Sequence, residues 1–167
     1  KEFSDWLCVP RSVRTTSIKP SGTVSLLNGS TPGIHYPEAE YYIRRIRFSI
    51  GNAILKAIEE AGYHVEKDAY SPNTMVASFP VHEPFFQKGK NEASMWEQLE
   101  IAAAYQHYWA DNSVSVTVTF KGDEAKDIKT ALEMYESRLK AVSFLRYQET
   151  GYEQAPYEPI TKEQYEE

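Results

Sequence analysis

Residues 113–146 read SVSVTVTFKGDEAKDIKTALEMYESRLKAVSFLR. Val114, Val116, Val118 and Phe120 alternate with Ser113, Ser115, Thr117 and Thr119, the period of two expected of a strand with one apolar and one hydroxylated face. Asp123 then stands where it can cap a helix reaching about Lys140, with Ile128, Ala131, Leu132, Tyr135 and Leu139 spaced by threes and fours. Ala141 to Arg146 returns to a short strand. Strand, helix and strand in that order suit a parallel crossover, so the fold class is α/β, few strands flanked by helices.

Upstream, Ser94 and Glu97 have capping-box spacing at the head of a helix running to about Ala110, with Met95, Leu99, Ala102, Ala103 and Gln106 along one side. Its aromatics, Trp96, Tyr105, Tyr108 and Trp109, read as packing rather than as a cofactor box. Thr74 to Phe79 predicts a strand closed by Pro80 at an edge or strand end. Asn52 to Ala61 predicts a helix with Ile54, Leu55 and Ile58 inward and Gly62 as its stop. Pro37 suits the first position of another helix, whose charge order, Glu38 and Glu40 then Arg44, Arg45 and Arg47, complements the dipole. Tyr42, Ile43, Ile46 and Ile50 would be its buried stripe. The three arginines read as a solvated or ion-paired face in preference to a phosphate clamp.

The chemistry-bearing stretch is TTSIKPSGTVSLLNGSTPG, Thr15 to Gly33. Thr15 to Ile18 suits a strand, and Pro20, Ser21 and Gly22 form a corner from which Thr23 to Leu27 can start a helix with bare amides. Free N–H groups and the positive end of the helix dipole favour an anion. Gly22 admits a ligand to the backbone, and the hydroxyls of Ser21, Thr23 and Ser25 can add hydrogen bonds. The competing reading is that Ser21 caps a helix and Gly22 turns the chain.

KPSGTVSLLNGSTPGIHYPEAEYYIRRIRF, residues 19–48, resembles the C-terminal region of adenosylcobalamin-dependent (class II) ribonucleotide reductases, especially the monomeric type that reduces ribonucleoside triphosphates. SDWLCVPRSVRTTSIKPSGT at Ser4 to Thr23, YWADNSVSVTVTF at Tyr108 to Phe120 and AVSFLRYQETGYEQAPYEPIT at Ala141 to Thr161 agree in order. The resemblance implies the C-terminal part of the reductase α/β barrel over residues 1–150. It implies substrate-phosphate binding by Ser21, Gly22, Thr23, Val24 and Ser25. It also implies radical chemistry in the complete enzyme, in which adenosylcobalamin generates a cysteine thiyl that abstracts the ribose 3′ hydrogen and two further cysteines supply reducing equivalents. In the family those cysteines and the nearby glutamate lie outside the matched region, and Cys8 matches none of their motifs. The resemblance therefore assigns no catalytic residue here, and no cofactor is expected on this chain alone. Tyr147 stands near relay tyrosines of related iron enzymes, but a family that makes its radical locally needs no relay.

The 167 residues, 41% hydrophobic and 13% aromatic, suffice for one core. A net charge of −6, from 18 basic and 24 acidic residues, disfavours a nucleic-acid polymer as partner. Four of those net negative charges fall in residues 151–167, which predicts an extended acidic tail. Cys8, the sole cysteine, excludes a disulfide framework and a thiolate cluster within the chain, and points to a cytoplasmic home. No apolar run reaches the ~20 residues of a membrane span. His35, His64, His82 and His107 lack metal-ligand spacing and read as surface or packing, and a Walker A motif is missing. The expected partners are a ribonucleoside triphosphate and the remainder of a reductase chain; the absence of Met at Lys1 fits a fragment. The alternatives are a standalone phosphate-ligand module and a structural or interaction domain without catalysis.

Overall fold

The computed structural model describes residues 2–21, 25, 30–148 and 152–167. Where the length suggested one core, the chain forms two compact units, interleaved in sequence. The first comprises Lys1–Gly22, Pro32–His35 and Ala93–Tyr147; the second, Thr23–Thr31, Tyr36–Glu92 and Gln148–Glu167.

In the first unit, α1 (Glu2–Trp6) leaves Phe3 and Trp6 exposed. The second unit begins its regular structure with β1 (Tyr41–Ser49), α2 (Ile54–Glu60), β2 (His64–Lys67) and β3 (Thr74–His82). The first unit resumes with α3 (Met95–Tyr108), β4 (Thr117–Phe120), α4 (Ile128–Tyr135) and β5 (Ser143–Arg146). β6 (Tyr157–Pro159) and α5 (Lys162–Glu166) return to the second.

The crossover read from residues 113–146 is present: β4 and β5 pair in parallel, Val118 opposite Phe144. The expected apolar face is the buried one, with Val114, Val116 and Val118 under a tenth exposed. Met95, Leu99, Ala102 and Ala103 of α3 and Ala131 and Tyr135 of α4 pack with Val116 and Val118 in one cluster. The Ser94 hydroxyl accepts the Glu97 N–H at 3.1 Å, as the capping spacing predicts.

Asp123 does not cap the next helix. The chain passes through a 3-10 turn, Ala125–Asp127, before α4. Glu124, one carbon longer, instead accepts the N–H groups of Lys121 and Met95, each at 2.8 Å. It thus places a negative charge at the amino end of α3. α4 ends at Tyr135, short of the expected Lys140. Tyr105, Tyr108 and Trp109 lie off the Leu99, Ala102 and Ala103 stripe and are exposed, so of the four aromatics only Trp96 packs on this core.

The second unit is a four-stranded antiparallel sheet, β2-β3-β1-β6. The helix expected after Pro37 is a nine-residue strand, β1. Tyr41, Tyr42, Ile43, Ile46 and Phe48 are aromatic or β-branched, types that fit a pleated surface, and pairing along all of β3 outweighs a helical charge order. β3 runs through Pro80. Glu83 N–H donates to Glu40 O, which sets the parity of the ladder and turns the Pro80 nitrogen away from β1. β2 has already ended opposite Ser78, so no ladder bond is lost. α2 forms where expected and stops before Gly62 at φ +87°, but Ile54 is exposed and Ile58 alone is buried.

Residues 152–167 do not form an extended tail. β6 pairs with β1, and α5 opens with a capping box in which Thr161 and Gln164 satisfy each other's backbone N–H groups. Arginines of β1 hold this segment through consecutive carbonyls. Arg47 donates to Gln154 O at 3.1 Å, Arg45 to Ala155 O at 3.1 Å and Arg44 to Pro156 O at 3.0 Å. Arg44 also stacks over the Tyr157 ring at 4.4 Å, Arg45 pairs with Glu158, and Arg47 meets Asp68 at 2.5 Å. Intramolecular pairing is therefore what these arginines do.

Tyr42 and Glu83 are both buried, and the Tyr42 hydroxyl donates to the Glu83 carboxylate at 2.8 Å. Burial first, and that carboxylate second, push the phenol far above its ordinary value. Among the described residues no helix is long and apolar enough to cross a membrane.

Candidate phosphate turn

Thr16 to Lys19 lies along the run preceding β4. Thr16 O accepts the Asn112 N–H and Thr16 Oγ1 the Asp111 N–H, both at 2.9 Å. Ser17 Oγ donates to Ser113 O at 3.0 Å, and the Ser115 N–H donates to Ile18 O at 2.9 Å. The β-branched stretch expected to be a strand is therefore aligned like one but bridges only at Ile18, parallel to Val114. Lys19 Nζ donates to Ser115 Oγ at 2.9 Å, which uses one hydroxyl of the polar face.

Pro20 is braced from the other side. Gly33 has φ +74°, and a Cβ built there would lie 3.2 Å from Pro20 Cα. A side chain would be strained by both the backbone angle and the contact. The imidazole of His35 meets Pro32 O through Nδ1 at 2.8 Å and accepts the Thr117 N–H through Nε2 at 3.0 Å.

Of the five residues expected to hold phosphate, Gly22, Thr23 and Val24 lie outside the described residues. Ser21 and Ser25 are half-buried; Ser25 is helical and its carbonyl accepts the Ser30 N–H at 3.1 Å. The sequence reading has His35 as surface or packing and Ser115 as one hydroxyl of a polar strand face, and assigns neither to the turn. Their partners, Thr117 and Lys19, are remote in sequence, so no local spacing signals them. Among the described residues no group of three His, Cys, Asp or Glu side chains is placed to hold a metal.

No family model matches the chain. Over 99% of its length it is 47% identical to the adenosylcobalamin-dependent ribonucleoside-triphosphate reductase of Euglena gracilis, covering 23% of that protein. It is 44% identical over 96% of its length to the reductase of the same name from Levilactobacillus brevis, covering 22%. The solved structure of a B12-dependent (class II) ribonucleotide reductase superposes on 99% of the chain with a TM-score of 0.80 at 38% identity. Over nearly its whole length the chain is thus similar to one segment of adenosylcobalamin-dependent ribonucleoside-triphosphate reductases. It spans less than a quarter of the length of these reductases. The α/β class read from the crossover agrees with that of the reductase fold.

Adenosylcobalamin is the cofactor named for the related reductases, and it supplies radical chemistry when bound. Three of the four histidines have polar neighbours at their ring nitrogens. His35 has both ring nitrogens engaged, and His64 and His82 lie 3.5 and 3.9 Å from glutamate oxygens.

Proposed function

We propose that this chain is part of a reductase converting ribonucleoside triphosphates to deoxyribonucleotides, and that its Ser21, Gly22, Thr23, Val24 and Ser25 cradle the substrate phosphates. The observation that carries the reading is the 47% identity to a ribonucleoside-triphosphate reductase across 99% of the chain. The composition of the turn supports the local role. Small residues let a polyanion approach main-chain N–H groups, which bind it without a dedicated cation. Catalysis requires the remainder of the reductase, including cysteines that this chain, with Cys8 alone, does not supply.

The test is substrate affinity in a complete reductase carrying this region. Gly22→Val should weaken triphosphate binding, because a β-branched side chain obstructs the approach to the amides. Ser21→Ala removes one hydroxyl contact and should cost about 1 to 3 kcal/mol or less, the range for hydrogen bonds to charged groups. Wild-type affinity in a correctly folded Gly22→Val enzyme would leave Ser21 and Gly22 with capping and turning alone. Purified isolated chain should not reduce nucleotides with adenosylcobalamin and thiol, and turnover would overturn the assignment of the chemistry to other parts of the enzyme.

A further inference from the structure

We propose that Tyr70 and Tyr152 form an oxidative modification site, at which a one-electron oxidant joins the two rings as dityrosine. Both lie in the unit that holds the four-stranded sheet. Tyr70 stands in the turn between β2 and β3, and Tyr152 in the run that enters β6. Their ring centroids are 6.2 Å apart with the planes at 67°, and the residues are 65% and 58% exposed. The pair is thus close enough to couple and open to a dissolved oxidant.

The backbones beneath the rings are fastened to each other. Asp68 Oδ1 accepts the Tyr70 and Ser71 N–H groups, both at 2.8 Å. Gln154 spans the gap, its Oε1 accepting the Ala69 N–H and its Nε2 donating to Lys67 O, each at 2.8 Å. Arg47 bridges the same two segments, donating from Nε to Asp68 at 2.5 Å and from Nη2 to Gln154 O at 3.1 Å. Gln154 has φ +56°, a left-handed angle uncommon outside glycine, and these bonds hold it there. The Ala155 N–H closes the turn on Tyr152 O at 3.0 Å. Two radicals on such a frame meet by ring rotation, so their coupling is unimolecular.

Other tyrosine pairs lack one of these conditions. Tyr42 and Tyr157 have centroids 5.6 Å apart, but Tyr42 is buried and its hydroxyl is bonded to Glu83. Tyr41 and Tyr165 are 5.3 Å apart, but one face of Tyr41 is stacked on His82 at 4.6 Å. At the Tyr70 and Tyr152 pair each phenol gives one electron to the oxidant and one proton to water. A bond then forms between the ring carbons ortho to the two oxygens. Each joined carbon loses its hydrogen as a proton while its oxygen takes one up, which restores two phenols. The balance is two tyrosines to one dityrosine, two protons and two electrons, the electrons passing to two equivalents of oxidant. The new bond ties β6 and α5 to the β2–β3 turn.

The test treats the dilute 167-residue chain with photoexcited ruthenium(II) tris-bipyridyl and persulfate, then digests the monomer with trypsin. The main cross-link should join residues 68–88 to 147–162, two hydrogens lighter than their sum, with fragmentation placing it at Tyr70 and Tyr152. Tyr152→Phe should lower dityrosine within the monomer at least about tenfold, and Tyr41→Phe should leave it within about twofold of wild type. Gln154→Ala keeps both rings but loosens the frame, and should lower the yield about threefold or more. A main link at Tyr41 and Tyr165, links only between molecules, or wild-type yield in Tyr152→Phe overturns the site. Undiminished yield in a folded Gln154→Ala chain overturns the fastening that the proposal rests on. If Gln154→Ala fails to fold, the mapped link and the Tyr152→Phe yield decide.

Discussion

Gln98→Leu tests how the parallel pair of strands is finished on its outer side. The Gln98 side chain, 9% exposed, sends Nε2–H to Thr119 O at 2.8 Å and takes the Thr119 N–H on Oε1 at 2.9 Å. It imitates a neighbouring strand for one residue of β4, and a further Nε2 contact reaches Ser94 O at 3.2 Å. Leucine has similar bulk but leaves the Thr119 N–H and C=O facing an apolar group. At roughly 1–3 kcal/mol for each unsatisfied buried group the two together cost about 2–6 kcal/mol. Added apolar burial offsets about 1 kcal/mol of this, leaving about 1–5 kcal/mol. For a chain of this size that lowers the melting temperature by about 2–20 °C. Hydrogen exchange locates the effect, because the Thr119 amide should lose protection before the amides of β1 and β3. A loss below about 1 kcal/mol with Thr119 exchange unchanged would refute the idea that Gln98 closes this edge.

Val116→Asp should cost several kcal/mol and Thr117→Val much less, since only the first puts a carboxylate into the α3 and α4 cluster; equal thermal shifts would show the faces wrongly assigned. Gly33→Ala should lose about 1–2 kcal/mol, because a Cβ must adopt a left-handed backbone angle against Pro20; a neutral or stabilising change in denaturant unfolding would contradict that. Asp68 has its carboxyl held below the ordinary carboxylate value, chiefly by the Tyr70 N–H, with burial opposing and Arg47 and the Ser71 N–H assisting. Its contribution is complete above the unfolded value of about 3.9 and is lost as pH falls through the lower folded value. Asp68→Asn should flatten that acid limb of the stability profile, and an unchanged limb would place acid sensitivity elsewhere.

The sequence exposed what local period controls. α3 and the β4 face were legible because Leu99, Ala102 and Ala103 on one hand, and Val114, Val116 and Val118 on the other, obey a single period over enough residues. β1 was misread because Tyr42, Ile43, Ile46 and Ile50 also fit a helical stripe, and its pairing with β3 is a long-range fact. β2 offers only Val65 as an apolar residue in four, too little pattern to register. α5 could have been found from Thr161 and Gln164, a capping-box pair obscured by acidic composition. At the site, the Pro20 corner was visible in its small residues. The contacts of Lys19 and His35 were not, because Ser115 and Thr117 reach them only after the chain has folded.

The arginine contacts to Gln154 O, Ala155 O and Pro156 O have a consequence for how this region can evolve. Carbonyl oxygens are the same whatever side chain they belong to, so the three contacts themselves tolerate substitution at those positions. They do not tolerate a change of length, because one inserted or deleted residue would slide three guanidinium partners out of step at once. Point changes among residues 154–156 should therefore accumulate more readily than gaps, except at the buried Ala155, where size matters, and at Gln154, whose amide pairs with the Ala69 N–H and Lys67 O.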